Sequence, residues 1–558
     1  MKKYILLLLS ALLMSSCDSF LDTDDYTRKN SDNFPASRVE LENALIGIYN
    51  AFSGTAAGSG TTLYGTIMSD ECFGNGGTGD VNYHAYNRLL RPTNENTHSG
   101  AWSTNYRGIW RCNSILNMLP EIEEFFTSTE DKNAYLGQVY TFRAYFYLNL
   151  AVTFGPYVPL RLEPIEENKP AATVEELYAQ IGDDLSKAIS LLPAAPIQDM
   201  DPSEHGKLTR WYAQALAARA FLFYTGYYQK TDLPTLSGSI TKEQVISWLE
   251  ECIRDSGHSL LPEFRNNFAY GNELTAPDYK YAKDNNLKWV GDGKANVEAV
   301  VVIKYNIMGY NTNRRIYNIR TQPKANTFPF RDGWGATSVN PKFFADWLED
   351  EPTDIRRNAT ILDADDPNEG LSYQWFVEQG EETGYFIKDF LDINAKDASG
   401  DIYSHAMLAY GGGNAQANCA LDIVLMRFSD VLLMHSELTG TVTGLNQVRA
   451  RVGLPAVAAY SLEAIQKERR YELAFMGGWR YYDLLRWYGT EAGVVIDANQ
   501  NGAVFYTEGV QKVLDANMAG RIRATGGFVN VPRDEIDLSN GVLTQNPGWE
   551  GDGVLYQP

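Results

Sequence analysis

Six charged residues crowd a short stretch near the C-terminus: Arg469, Arg470, Glu472, Arg480, Asp483 and Arg486. Two chemistries suit such a group. It could be a charged active site, or a set of ion pairs tying helices together. Arginine makes planar, two-pronged contacts with carboxylates that suit a partly buried seam, so the second is expected. A second motif, Gly74-Asn75-Gly76-Gly77-Thr78-Gly79, fits the GxGxxG of dinucleotide loops. Such a loop needs an apolar strand before it and a helix after it. Here Asp70-Glu71 precede and Asp80 follows, and their charge repels a pyrophosphate. The stretch is read as a flexible loop, with no cofactor.

Other catalytic patterns are missing from the sequence. The six histidines form no HExxH or HxxxH, and no GxSxG or GxxxxGK occurs. Cys72, Cys112, Cys252 and Cys419 are widely spaced without a CxxC, which speaks against a zinc site. One or two disulfides or buried free thiols both remain open. Carboxylate pairs abound in so acidic a chain and identify nothing, because a glycosidase needs two at a set separation. No enzyme is expected.

Net charge is −22, from 70 acidic against 48 basic residues over 558 positions. That excludes nucleic acid and anionic lipid as natural partners. The 34 Tyr, 24 Phe and 11 Trp are enough to fill a core and still furnish a surface for sugars or peptides.

The chain starts as a targeting segment. Lys2-Lys3 precede an apolar run from Tyr4 to Met14, too short to span a bilayer, and Ser15-Ser16-Cys17 follow. This resembles a lipoprotein signal (residues 1–16) with Cys17 acylated; several acyl chains hold a protein stably where one does not. Residues 17–37 are an acidic tether.

Helical periodicity runs through Arg38–Phe52, Ala101–Leu119, Tyr135–Phe154, Thr173–Leu192, Leu208–Tyr228 and Thr241–Asp255. Ser53–Gly60 reads as a loop and Leu63–Leu90 as irregular. Thr173 and Glu176 form a capping box. Arg143-Ala144-Tyr145-Phe146-Tyr147 matches Arg219-Ala220-Phe221-Leu222-Phe223 by type, at an offset of about two tetratricopeptide repeats. Residues 257–418 lose the periodicity, apart from a strand-like run Val297–Tyr305 and a short helix Asn340–Leu348, and read as an irregular insertion. Leu421–His435 reads as one helix. A second helix starts at Ser461 and closes at Gly477-Gly478, and another piece follows from Tyr481 to Trp487.

Four ordered blocks now stand out: Arg427-Phe428-Ser429-Asp430-Val431-Leu432-Leu433; Asn446-x-Val448-Arg449-x-Arg451-x-Gly453-Leu454-Pro455; Glu468-Arg469-Arg470-x-Glu472-Leu473; and Arg480-x-x-Asp483-Leu484-x-Arg486-Trp487. Together with Val531-Pro532-Arg533-Asp534-Glu535-Ile536 and Leu543-Thr544-Gln545-Asn546-Pro547-Gly548, they resemble the SusD/RagB family of nutrient-capturing outer-membrane lipoproteins of Bacteroidetes. Met476 departs from the pattern, standing where the family has an acidic residue, so the ion pair of that residue is not carried over.

The resemblance implies a mostly α fold: a tetratricopeptide-like helical scaffold over 38–256, the loop-rich insertion over 257–418, and the signature region over 419–558 packed on the scaffold. It implies non-catalytic capture of a nutrient, above all an oligosaccharide, at the cell exterior, and delivery to a SusC-type TonB-dependent transporter. Peptide capture and a repeat scaffold without a small ligand are the alternatives. Positions in the segments that carry ligand sites in the family are Asp70, Tyr83, Arg88, Trp102, Asn105, Trp289, Tyr310 and Trp334. Aromatic rings would stack on a sugar's C–H face while the polar groups bond its hydroxyls.

Overall fold

The computed structural model describes residues 34–58, 61–291, 296–305, 323–324, 328–330, 333–369, 379–391, 393–411 and 421–557. Cys17, Tyr310 and Cys419 lie outside them. Helix α1 (Arg38–Ser53) starts at Ser37, whose hydroxyl accepts from the Glu40 N–H, and buries Leu41, Leu45, Ile48 and Phe52. Where a loop is expected, Gly54–Gly58 instead continues as a π turn. Small residues offer little resistance to that wider winding. The segment read as irregular also holds short elements: α2 (Thr61–Ile67), β1 (Cys72–Gly74) and α3 (Val81–Tyr86).

The scaffold then runs through α4 (Ser99–Asn117), α5 (Thr129–Phe154), α6 (Val174–Leu191), α7 (Arg210–Tyr227) and α8 (Lys242–Asp255). Each of these packs on the next, the stacking of a tetratricopeptide-like fold. The apolar surface of α5 wraps all round, as it must for a helix inside the stack: nearly everything from Tyr135 to Phe154 is buried. Gly155 ends it at φ 66°, and a Cβ there would strike the Phe528 ring at 2.5 Å. The capping box of α6 forms as expected, with Thr173 and Glu176 each accepting from the other's backbone N–H. The two similar pentads lie on α5 and α7, and their arginines behave alike. Arg143 pairs with Asp184 on α6 at 2.7 Å, and Arg219 with Asp430 at 2.6 Å.

Beyond α8 come β2 (Ala299–Ile303), β3 (Thr337–Val339) and α9 (Pro341–Asp350). A second apolar cluster, built on Phe264, Phe268, Tyr270, Tyr279 and Phe330, gathers here apart from the main core. The signature region corrects two expectations. The Leu421–His435 run divides into β4 (Ile423–Arg427) and α10 (Phe428–Thr439). β4 pairs antiparallel with β2, with Ile423 opposite Ile303 and Val424 opposite Val302. Buried β-branched residues suit a strand, and an apolar run can mimic helical spacing when both faces are covered. Helix α11 (Leu462–Glu472) starts at Ser461 as expected but stops short of Gly477-Gly478. Phe475 turns left-handed at φ 62°, and its N–H donates to a Glu71 carboxyl oxygen at 3.1 Å. Helix α12 (Trp479–Tyr488) and the antiparallel hairpin β5 (Val504–Thr507) and β6 (Val510–Val513) complete the elements used below.

Candidate functional site

The charged stretch forms buried ion pairs. Arg469 bridges Asp430 at 2.7 Å and Asp483 at 2.9 Å, so α10, α11 and α12 meet at one guanidinium. Arg486 joins Asp483 and Glu437, and Arg451 joins Glu298 and Glu472. Arg356, fully buried, is held by Asp354, Glu468 and Glu472 within 3.0 Å. Burial alone raises the Glu472 carboxyl, but Arg451, Arg427 and Arg356 outweigh it and hold it down at about 2.

Asp70, a candidate ligand residue, belongs to this seam. It is fully buried, with Arg480 at 2.8 Å and Arg470 at 3.3 Å. Its neighbour Glu71 takes the opposite protonation state. Burial pushes that carboxyl up to about 8, Arg480 only partly offsetting it. Glu71 and Met476 line the same small void, so a carboxyl from the far end of the chain stands beside the position where the acidic residue of the signature is replaced.

Trp102 and Asn105, on α4, are each 1% exposed. Trp102 packs edge-on against Phe154 at 5.0 Å, and the Asn105 amide donates to Ala101 O at 2.7 Å. They therefore offer a ligand no surface here. Trp289 is half-buried, its ring edge-on to His405 at 6.1 Å.

Tyr83, Arg88 and Trp334 are brought to one end of the β1–β3 ribbon. β1 leads out into the 75–80 loop, and Gly74 pairs with Thr337. Trp334 lies three residues before Thr337, at that same end, and is 52% exposed. The glycine motif read as a flexible loop is tied on both sides: Asn75 N–H donates to Ala336 O at 2.9 Å and Gly380 N–H to Gly76 O at 2.7 Å. Gly74 permits the close approach, since a Cβ there would lie 2.0 Å from Tyr83 O.

Beside this loop runs a groove lined by Thr78, His84, Arg88, Glu381, Lys512 and Tyr556, among others. Arg88 forms an ion pair with Glu381, donates to His84 O at 3.0 Å, and lies over the Tyr556 ring at 5.6 Å. Asn87 supports Glu381 from behind at 2.9 Å. Burial raises the Glu381 carboxyl, with Arg88 pulling against it. His84 is pushed down to about 4 by burial, then by Arg88 and Lys512, so the ring is neutral. The result is a fixed set of donors and acceptors next to an aromatic ring. Glu381, Lys512 and Tyr556 escape a reading of the sequence. Glu381 lies in a stretch without periodicity, Lys512 on a fully exposed strand, and Tyr556 beyond the last motif.

Cys72, Cys112 and Cys252 are buried free thiols. Among the described residues, no group of His, Cys, Asp and Glu is arranged to hold a metal ion, and no helix is long and apolar enough to cross a membrane.

Comparison with known proteins accounts for the layout. Residues 297–549 match the model of the SusD family, and residues 19–225 match a model described as "Starch-binding associating with outer membrane". A SusD-like protein of Bacteroides ovatus is 22% identical over 506 residues, covering 87% of this chain and 82% of its own. Among solved structures, a laminarin-binding SusD-like protein superposes with a TM-score of 0.67 at 23% identity, covering 92% of this chain and 99% of its own. Surface glycan-binding protein A of Bacteroides thetaiotaomicron, solved with laminarihexaose, gives 0.65 at 19% identity, with 92% and 100% covered. With both halves matched by such models, the four signature blocks locked into one seam and the helical stack in place, the chain belongs to the SusD/RagB family.

Proposed function

We propose that this protein captures an oligosaccharide at the outer membrane without chemical change and delivers it to a SusC-type TonB-dependent transporter. The observation that carries this is a groove of fixed polar groups, Arg88 and Glu381, with the Tyr556 ring, beside the glycine loop at the same end of the β1–β3 ribbon as the exposed Trp334. An indole packs on the C–H face of a pyranose, and the paired guanidinium and carboxylate bond its rim hydroxyls without reorganising. Relatives of the same fold named for laminarin and glycan binding support a sugar. The family description, with its association with the outer membrane, supports the location. Acylated Cys17 supplies the anchor, and the acidic tether after it presents the protein on the exterior.

The test is calorimetric titration of the chain from residue 18 with a panel of glycans and peptides, with products assayed in the same tubes. One glycan binds without products, and Trp334→Ala weakens it about ten-fold, ~1.4 kcal/mol, at an unchanged unfolding midpoint. Peptide binding instead, or released products, overturns the reading. The transporter co-purifies in detergent, and a complex of the same size after its deletion refutes the partnership.

A further inference from the structure

A second cavity shares no lining residue with the groove beside Arg88. It lies among the turns after α8, strand β2 and residues 389–390, with Trp289 in its wall. Its volume is about 80 Å³, room for about six waters at ~10–15 Å³ each, the liquid bulk of roughly one sugar ring.

Its lining carries buried polar atoms with no partner among the described residues: His258 Nε2, Asn267 Oδ1, Asp389 Oδ1 and Arg427 Nε. His258, Asn267 and Arg427 are each more than nine-tenths buried. Their other atoms are committed. His258 Nδ1 lies 2.9 Å from Val297 O, a pure acceptor, so Nδ1 carries the proton and Nε2 accepts. Asn267 Nδ2 donates to Phe264 O at 3.0 Å and to Glu298, leaving Oδ1 as an acceptor. The terminal nitrogens of Arg427 are taken by Glu298 and the Glu472 carbonyl, leaving Nε–H as a donor. Burial raises the Asp389 carboxyl well above its usual range. Leaving a buried polar atom unpaired costs ~1–3 kcal/mol, and an apolar occupant would satisfy none of these. An anion would face the two acceptors, while a cation would face Arg427. A neutral ligand with several hydroxyls, each able to donate and accept, answers every atom.

We infer that this cavity is a second carbohydrate subsite, taking one neutral sugar unit against Trp289 and bonding its hydroxyls to His258, Asn267, Asp389 and Arg427. The inference rests on the carbohydrate-capture reading, but on different residues. Val302 lines the cavity from β2 and is only half-buried, so Val302→Phe fills the space with little disturbance to the core.

The experiment takes the chain from residue 18, as wild type, Val302→Phe, Trp289→Ala and Trp334→Ala. Each is titrated with glucose, galactose and mannose and with the glycan that binds the groove, and wild-type crystals are soaked in each monosaccharide. A single sugar appears in the cavity, and Val302→Phe and Trp289→Ala each weaken it about ten-fold or more, while groove binding and the unfolding midpoint stay as in wild type. Trp334→Ala does the reverse. Ordered waters alone in the cavity at saturating sugar, or monosaccharide affinity indifferent to Val302→Phe, overturns the inference and leaves groove capture standing. A sugar in the cavity with no glycan on the groove upholds it and removes the groove. Binding at neither place removes both.

Discussion

Arg480 grips Asp70 with two parallel hydrogen bonds, 2.8 and 2.9 Å long, across 410 residues of sequence. This is a charge-assisted fork of the stronger kind, and a third donor, Asn499, reaches the same carboxylate at 2.7 Å. Asp70→Ala leaves two arginines buried without their counter-charge, so it costs about 3–5 kcal/mol of stability. Denaturant unfolding measures the loss, and glycan titration of the folded fraction shows affinity unchanged. A clean loss of affinity at full stability would instead make Asp70 a ligand residue.

Glu71, next in sequence, sets a pH dependence of the opposite sign. Burial raises its carboxyl from 4.5 to about 8. Between those values the folded state holds a proton that the unfolded chain has released, so stability falls as pH rises through that window. Glu71→Gln keeps the shape and removes the titration. Its stability stays flatter from pH 5 to 8 than that of the wild type, by a few kcal/mol, since each tenfold difference in proton affinity is worth roughly 1.4 kcal/mol. Parallel wild-type and variant curves would rule the assignment out. Asp430, held at about 2 once Arg469 and Arg219 outweigh its burial, contributes the usual acid limb, lost only as pH falls toward 2.

Lys388 is enclosed by Tyr270, Tyr279 and Tyr281, the last ring centroid 3.2 Å from its ammonium, and it pairs with buried Glu369 at 2.7 Å. Lys388→Met strands that carboxylate and lowers stability by about 3–5 kcal/mol, whereas Lys388→Met combined with Glu369→Gln recovers part of it, because neither charge is then left alone. A double-mutant cycle on denaturant midpoints measures the coupling.

Cys72, Cys112 and Cys252 are fully buried, and burial raises all three thiols above their usual range. A thiol reagent therefore leaves them unmodified in the native protein and labels each after denaturation, as peptide mass mapping will show. Rapid native labelling of any one would place it at the surface.

The scaffold was legible because its signals are local. Capping at Thr173 and Ser461, and the apolar run of α5, need no knowledge of distant chain. The signature arginines were legible as ion pairs by residue type, but their partners were not: nothing near Arg480 points to Asp70. The same limit governs the proposed ligand face. Trp289 and Trp334 both stand among Gly, Asn and Lys, a cue to exposure that the structure agrees with for Trp334, while Trp289 is half-buried. Trp102 carries the same residue type inside the stack, and only tertiary packing against Phe154 separates it from Trp334. The strand Ile423–Arg427 was hidden because its partner lies 120 residues upstream at Ile303.

The reach of the seam also sets an order of assembly. Asp70, Arg219 and Glu298 all wait for partners that begin at Arg427. A chain emerging N-terminus first therefore carries these charges unmatched until its last quarter arrives, and closing such long loops comes late and slowly. Truncation before Arg427 would not yield a smaller working lobe. It would leave a helical stack with open charges along one flank.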